Sequence, residues 1–320
     1  MSHRDTLIKK NKELSKPLDM FNIGFVGGSM GGDVISGVFG GGNPVGDDSQ
    51  TTVMDYIDIA TTGDATDFGD LTVARVALCG NMSNGTRGVF AGGSGGAGRE
   101  DTIDYITIAT LGDATDFGNL TVVKYFIAGL SSDTRGVIGG AFYPVTNVME
   151  YITIASTGNA TDFGDLTGIV YAPAGVSNDT RGVFGGGHPT GSGSAYTKMD
   201  YITIANTGNA SDFGDITVGR KGAAGVASDT RGVFCGGENG GKSNVCDYIT
   251  IASTGNASDF GDLTAVRVIP AGVSNLTTGV LGGGEDATNI MDYITIASTG
   301  NATDFGDLTL ARYAPAGVSA

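Results

Sequence analysis

Beyond residue 20 no stretch of the chain returns apolar residues every 3.6 positions, so its segments do not predict amphipathic helices. Apolar and polar positions alternate over short runs instead. In Tyr151-Ile152-Thr153-Ile154-Ala155, aromatic and β-branched side chains predict a half-buried strand. Thr157-Gly158-Asn159-Ala160 then supplies turn chemistry before a second short run, Asp162-Phe163-Gly164-Asp165-Leu166-Thr167. Upstream, Gly182-Val183-Phe184 predicts an apolar strand ended by a glycine cluster, and residues 171–177, ahead of Asn178-Asp179-Thr180, predict another. In chain order these are strands a, b, c and d of an up-and-down meander.

The unit returns six times. Its acidic-Tyr-Ile signature begins at Asp55, Asp104, Glu150, Asp200, Asp247 and Asp292, 45 to 50 residues apart, and its later aromatics are Phe68, Phe117, Phe163, Phe213, Phe260 and Phe305. A fixed period of this length decides the architecture, and four short strands per period predict a β-propeller rather than a solenoid. The first unit starts at strand b, residues 37–41, while residues 312–318 read as a strand a with no sheet of its own. The expected fold is therefore all-β: a six-bladed propeller over residues 23–320, closed by the C-terminal strand pairing into the first blade, behind a short arm at residues 1–22. Closure of this kind removes the free sheet edge that a linear array leaves.

The order of features resembles the kelch repeat. A basic residue opens strand a (Arg75, Lys124, Arg220, Arg267, Arg312), an apolar strand ends in a double glycine (Gly92-Gly93, Gly236-Gly237), and an Asp-Tyr strand and an aromatic follow. Two departures stand out: phenylalanine replaces the usual tryptophan, and Val170 occupies the basic position of one repeat. The near-verbatim DYITIASTGNATDFGDLT copies also resemble kelch-like repeat proteins of large tailed bacteriophages. That likeness implies a virion structural protein, a decoration, tail or fibre component made in the host cytoplasm and presenting its propeller for host or glycan attachment. The rival reading is a kelch-type interaction module outside a virion; a sugar-active enzyme is third.

Composition narrows these choices. Glycine supplies 56 of 320 residues, which fits repeated turns, and the net charge of −16 argues against nucleic acid as a partner. Two histidines and no tryptophan leave little for catalysis or for a metal, so neither a cofactor nor enzymatic activity is expected. The Asp-rich turns read as turn hydrogen bonding rather than calcium ligation, because no DxDxDG loop is present. No apolar run of 18 residues predicts a membrane span, and no apolar core marks a signal peptide. Cys79, Cys235 and Cys246 are expected as free thiols, although Cys235 and Cys246 flank Gly240-Gly241 at a spacing open to a cross-strand disulfide. Arg87, Arg135, Arg181 and Arg231 recur directly ahead of Gly-Val, the last three beside Asp133, Asp179 and Asp229, and predict inter-blade or turn salt bridges.

Binding residues are expected where the copies differ. The a–b and c–d turns repeat almost verbatim and belong to one face, whereas the b–c loops vary and belong to the other with the d–a connections. Loops on a rigid scaffold are where recognition concentrates. From them come Phe142, Tyr143, His188, Tyr196, Lys198, Glu238 and Lys242 as candidate contacts. The arm is the one basic segment, and Leu7, Ile8, Lys9, Lys10, Leu14 and Leu18 are expected to dock it onto other virion proteins.

Overall fold

The computed structural model describes residues 36–44, 49–189, 193–285 and 288–320. The arm, with Leu7, Ile8, Lys9, Lys10, Leu14 and Leu18, lies outside them. Among the described residues there is no helix, and six four-stranded antiparallel sheets follow one another, an arrangement compatible with a β-propeller. The third sheet shows the common plan: Ala128–Ser131 (a), Arg135–Gly139 (b), Val148–Thr153 (c) and Thr161–Asp165 (d) pair in chain order. In the first sheet the order is Ala316–Ser319, Gly37–Gly40, Val53–Ile57, Thr66–Asp70, so the C-terminal strand supplies position a.

Strand a is shorter than the sequence suggests. It begins at Ala316, and Arg312–Tyr313 forms a separate two-residue ladder with Asn43–Pro44. The cause is a left-handed residue two positions after each basic site. Ala77, Phe126, Ala172, Ile269 and Ala314 have φ between 49° and 55° there, and Gly222 has φ 64°. Such a backbone interrupts a strand, so the basic residue stands in the connection before strand a rather than at its start.

Each c–d pair carries a bulge in the same place, as between Met149 and Glu150. Glu150 lies opposite Asp162 and Met149 opposite Gly164, which leaves Phe163 as the extra residue. A bulge re-aims the side chain it carries. The six phenylalanines are all buried, and Phe213 packs with Phe234, Ile249 and Ile251 of the following sheet.

Two contacts tie each sheet to the next and run from the sixth back to the first, and a third recurs at four of the six junctions. The innermost strands touch in sequence, Cys79–Ser83 against Ala128–Ser131 and onward, until Ala316–Ser319 lies against both Ala271–Ser274 and Cys79–Ser83. The second residue of each is Gly80, Gly129, Gly175, Gly225, Gly272 or Gly317; a Cβ at any one would overlap the backbone carbonyl of its neighbour in the set, Gly80 meeting Gly317 across the chain ends. At the outer edge, the c–d turn of each sheet donates backbone N–H groups to the preceding strand d. Gly158 N bonds Phe117 O at 2.7 Å, and Gly63 N bonds Phe305 O at 2.8 Å across the chain ends. The turn side chain adds to this, Asn159 Oδ1 accepting from Asn119 N at 3.0 Å. The polar turns are thus structural caps on otherwise open edges.

The recurring arginines are the third tie, and their partners differ from the expected aspartates. Arg87, Arg135, Arg181 and Arg231 donate to the carbonyls of Ile154, Ile204, Ile251 and Ile296, each in the following sheet, while stacking over their own sheet's Tyr105, Tyr151, Tyr201 and Tyr248. A planar guanidinium suits this double role, because it can donate in its plane and stack on its face.

Cys235 and Cys246 occupy directly opposed positions of strands b and c and are joined by a disulfide, correcting the free-thiol expectation; Cys79 is free and buried.

The inner glycine set gives a sharp test. Gly225→Ala must displace the Gly175 carbonyl, whereas Gly241 has open space around it. Chemical denaturation should show Gly225→Ala destabilised by about 3 kcal/mol or more, the scale of overpacking or backbone strain, and Gly241→Ala within about 0.5 kcal/mol of the parent.

Candidate functional site

In every sheet the d–a connection meets the b–c loop, because the left-handed residue turns the chain toward the glycine pair that ends strand b. Arg75–Val76 pairs with Ser94–Gly95, Tyr171 with His188, Lys221 with Glu238, and Tyr313 with Asn43. The third and sixth sheets keep the equivalent bonds, Phe142 N to Tyr125 O and Glu285 N to Val268 O. The rim on this side of the sheets therefore takes one side chain from each loop and one from each connection.

From the second to the fourth sheet that rim is aromatic. Phe142 lies 5.6 Å from Tyr125, 5.4 Å from Tyr143 and 4.7 Å from Tyr171, measured between ring centroids, and His188 continues the row 5.4 Å beyond Tyr171. The Arg99 guanidinium stands 3.9 Å over the ring of Tyr143, a residue 49% exposed. Each ring nitrogen of His188 lies within reach of a carbonyl, Nδ1 at 2.5 Å from Pro189 O and Nε2 at 2.9 Å from Gly193 O, and the tautomer sets which of the two accepts the ring N–H.

On the facing side the rim is charged. Lys221 Nζ meets Glu238 at 3.0 Å and lies 5.5 Å from the Tyr171 ring, and Lys242 meets Glu285 at 3.7 Å. Burial alone would push the Lys221 ammonium down, but its hydrogen bond to Glu238 and that carboxylate's charge outweigh it and hold the ammonium above the usual lysine value. Between the two sides lies a cavity of about 170 Å³ with aromatic walls from Phe126, Phe142, Tyr171 and Tyr313 and charged groups from Lys221, Glu238 and Glu285.

Of the residues expected from sequence, the structure thus brings Phe142, Tyr143, His188, Glu238 and Lys242 to one rim. Tyr196 and Lys198 line a different cavity that shares no residue with it. Sequence reasoning passed over Tyr125, Tyr171, Lys221 and Tyr313, because the position following each basic site was read as strand interior. The pattern Val76, Tyr125, Tyr171, Lys221, Val268, Tyr313 is as variable as the loops and carried the signal.

No known family model matches the chain, and no curated protein matches it either.

Tyr313 offers a titration that reports on this cavity. Burial, with Glu285 and Glu238 nearby, raises its phenol from 10.0 to about 12. The folded state thus keeps a proton that the unfolded chain releases, so stability falls as pH rises from about 10 toward 12. Cys79, pushed by burial to about 12, acts in the same direction. Denaturation midpoints taken across this range should fall less steeply in Tyr313→Phe than in the parent.

Proposed function

We propose that the six sheets are the blades of one closed propeller and that the protein is a non-enzymatic binding module taking a saccharide at the rim of the variable-loop face. The closed form is supported by the cyclic contact of the inner strands and by the edge bonds between residues 63–65 and 305–307. The observation that carries the function is the cavity in which Phe142, Tyr171 and Tyr313 face Glu238, Glu285 and Lys221. Flat aromatic faces suit the C–H surfaces of a sugar ring, and paired charged groups suit its hydroxyls. The c–d turns of the opposite face are engaged in capping neighbouring strands, whereas the rim places aromatic surface where a ligand can reach it.

The site is tested with a glycan array followed by titration of the best binder. Tyr171→Ala should weaken binding about tenfold, the 1.4 kcal/mol scale of one lost stacking contact. Absence of any saccharide binding, or parent-like affinity in both this variant and Phe142→Ala, overturns the reading.

The likeness of the repeat string to tailed-phage repeat proteins supports, as part of this proposal, a module carried in such a particle, with kelch-like blades, the basic arm at residues 1–20 as its attachment to other virion proteins, and a host surface glycan as the ligand. Mass spectrometry of purified particles should then contain the chain, and deletion of residues 1–20 should remove it from them. Particles that lack the intact protein, or that retain the deleted form at normal copy number, exclude this placement.

A further inference from the structure

Five of the six sheets bury an ion pair between the basic residue ahead of strand a and the acidic residue of strand c. The pairs are Arg75–Asp104, Lys124–Glu150, Arg220–Asp247, Arg267–Asp292 and Arg312–Asp55, every side chain at most 1% exposed. The arginine also donates to main-chain carbonyls at the end of strand b and the start of strand c: Gly92 and Thr102 in the second sheet, Gly41 and Val53 in the first. A threonine hydroxyl on the same carboxylate completes the arrangement, as Thr264 does on Asp292 at 2.6 Å.

The fourth sheet keeps every part except the cation. Thr167 donates to Asp200 at 2.6 Å through its hydroxyl and at 3.0 Å through its amide, but Val170 stands where the arginine would be. In its place is a cavity of about 240 Å³, lined by Leu166, Val170, Pro173, Phe184, Tyr196 and Asp200 together with Gly186 and Lys198, which correspond to Gly92 and Thr102. Lys198 approaches Asp200 only to 3.5 Å, and its side chain is 38% exposed, so its ammonium comes from the solvent side and the interior space is left unfilled by the described residues.

We propose that this cavity is a binding site for a guanidinium group on an aliphatic stem, which takes the place of the missing arginine. Pairing in the other sheets argues for guanidinium over ammonium: the four aspartates face arginines, and the one lysine faces the longer Glu150. Asp200 is the short acid, so it matches the longer, forked cation, which can bond the carboxylate and the neighbouring carbonyls at once. Leu166, Pro173 and Phe184 provide apolar wall for the stem. This site is independent of the aromatic rim and of the saccharide reading.

The test titrates the full chain with agmatine and, separately, with a short peptide carrying one internal arginine, followed by calorimetry and thermal melting. Saturable binding of either supports the site; agmatine alone identifies a free amine as the ligand, the peptide alone a partner's side chain. Val170→Arg should melt at or above the parent temperature and lose binding at least about tenfold, because the tethered guanidinium occupies the cavity. Lys198→Ala removes the competing ammonium and should bind agmatine more tightly. Failure of both probes to saturate at about 10 mM, beyond the weakest specific range, overturns the proposal, as does a folded Val170→Arg that binds like the parent.

Discussion

A Cβ cannot be placed on Gly80, Gly129, Gly175, Gly225, Gly272 or Gly317 without meeting the carbonyl of the neighbouring inner strand. This close approach is the constraint on which the other interactions depend. It brings the inner strands near enough for side chains of adjacent sheets to interdigitate, and it sets the radius at which each bulged phenylalanine reaches the following sheet. It also fixes where each c–d turn meets the preceding strand d. There a second set of glycines, Gly69, Gly118, Gly164, Gly214, Gly261 and Gly306, lets the turn of the neighbouring sheet approach the backbone. Glycine abundance in this chain is thus a packing requirement at two radii as well as a turn requirement.

The buried ion pairs occupy the next level. Burial disfavours charge on both partners, raising the carboxyls of Asp55 and Asp104 and lowering the guanidinium values of Arg75, Arg267 and Arg312; each partner's opposite charge works against that shift. Removing one member of such a pair strands the other without solvent, a loss on the order of 3–5 kcal/mol. The fourth sheet avoids that loss by bringing Lys198 toward Asp200, and the cost of doing so is a cavity. The pairs hold the d–a connection against strand c, and that connection in turn presents its next residue to the b–c loop. Stability and recognition therefore share one segment of each repeat.

Sequence periodicity, strand count and the pairing of the C-terminal strand with Gly37–Gly40 were legible because they follow from local chemistry repeated six times. Alternating β-branched residues, glycine-ended apolar runs and Asn/Asp turns each act within a few residues. The division of the molecule into a uniform and a variable side was legible for the same reason. Phe142, Tyr143, His188, Glu238 and Lys242 could be nominated because their loops differ from copy to copy.

What only the tertiary structure decided depends on contacts made 14 to about 260 residues apart. No local pattern shows that Arg312 turns back to Asp55, since the left-handed Ala314 that interrupts the strand is a residue type with no preference for that conformation. Nor does a local pattern show that the turn arginines bond carbonyls of the following sheet. Tyr171 joins the rim through its ladder with His188, while Tyr196, nominated on the same grounds as Tyr143, turns into the cavity beside Val170. The sequence alone determines the repeating unit because each unit folds by short-range rules; which side chains meet is decided by the packing of one unit against the next.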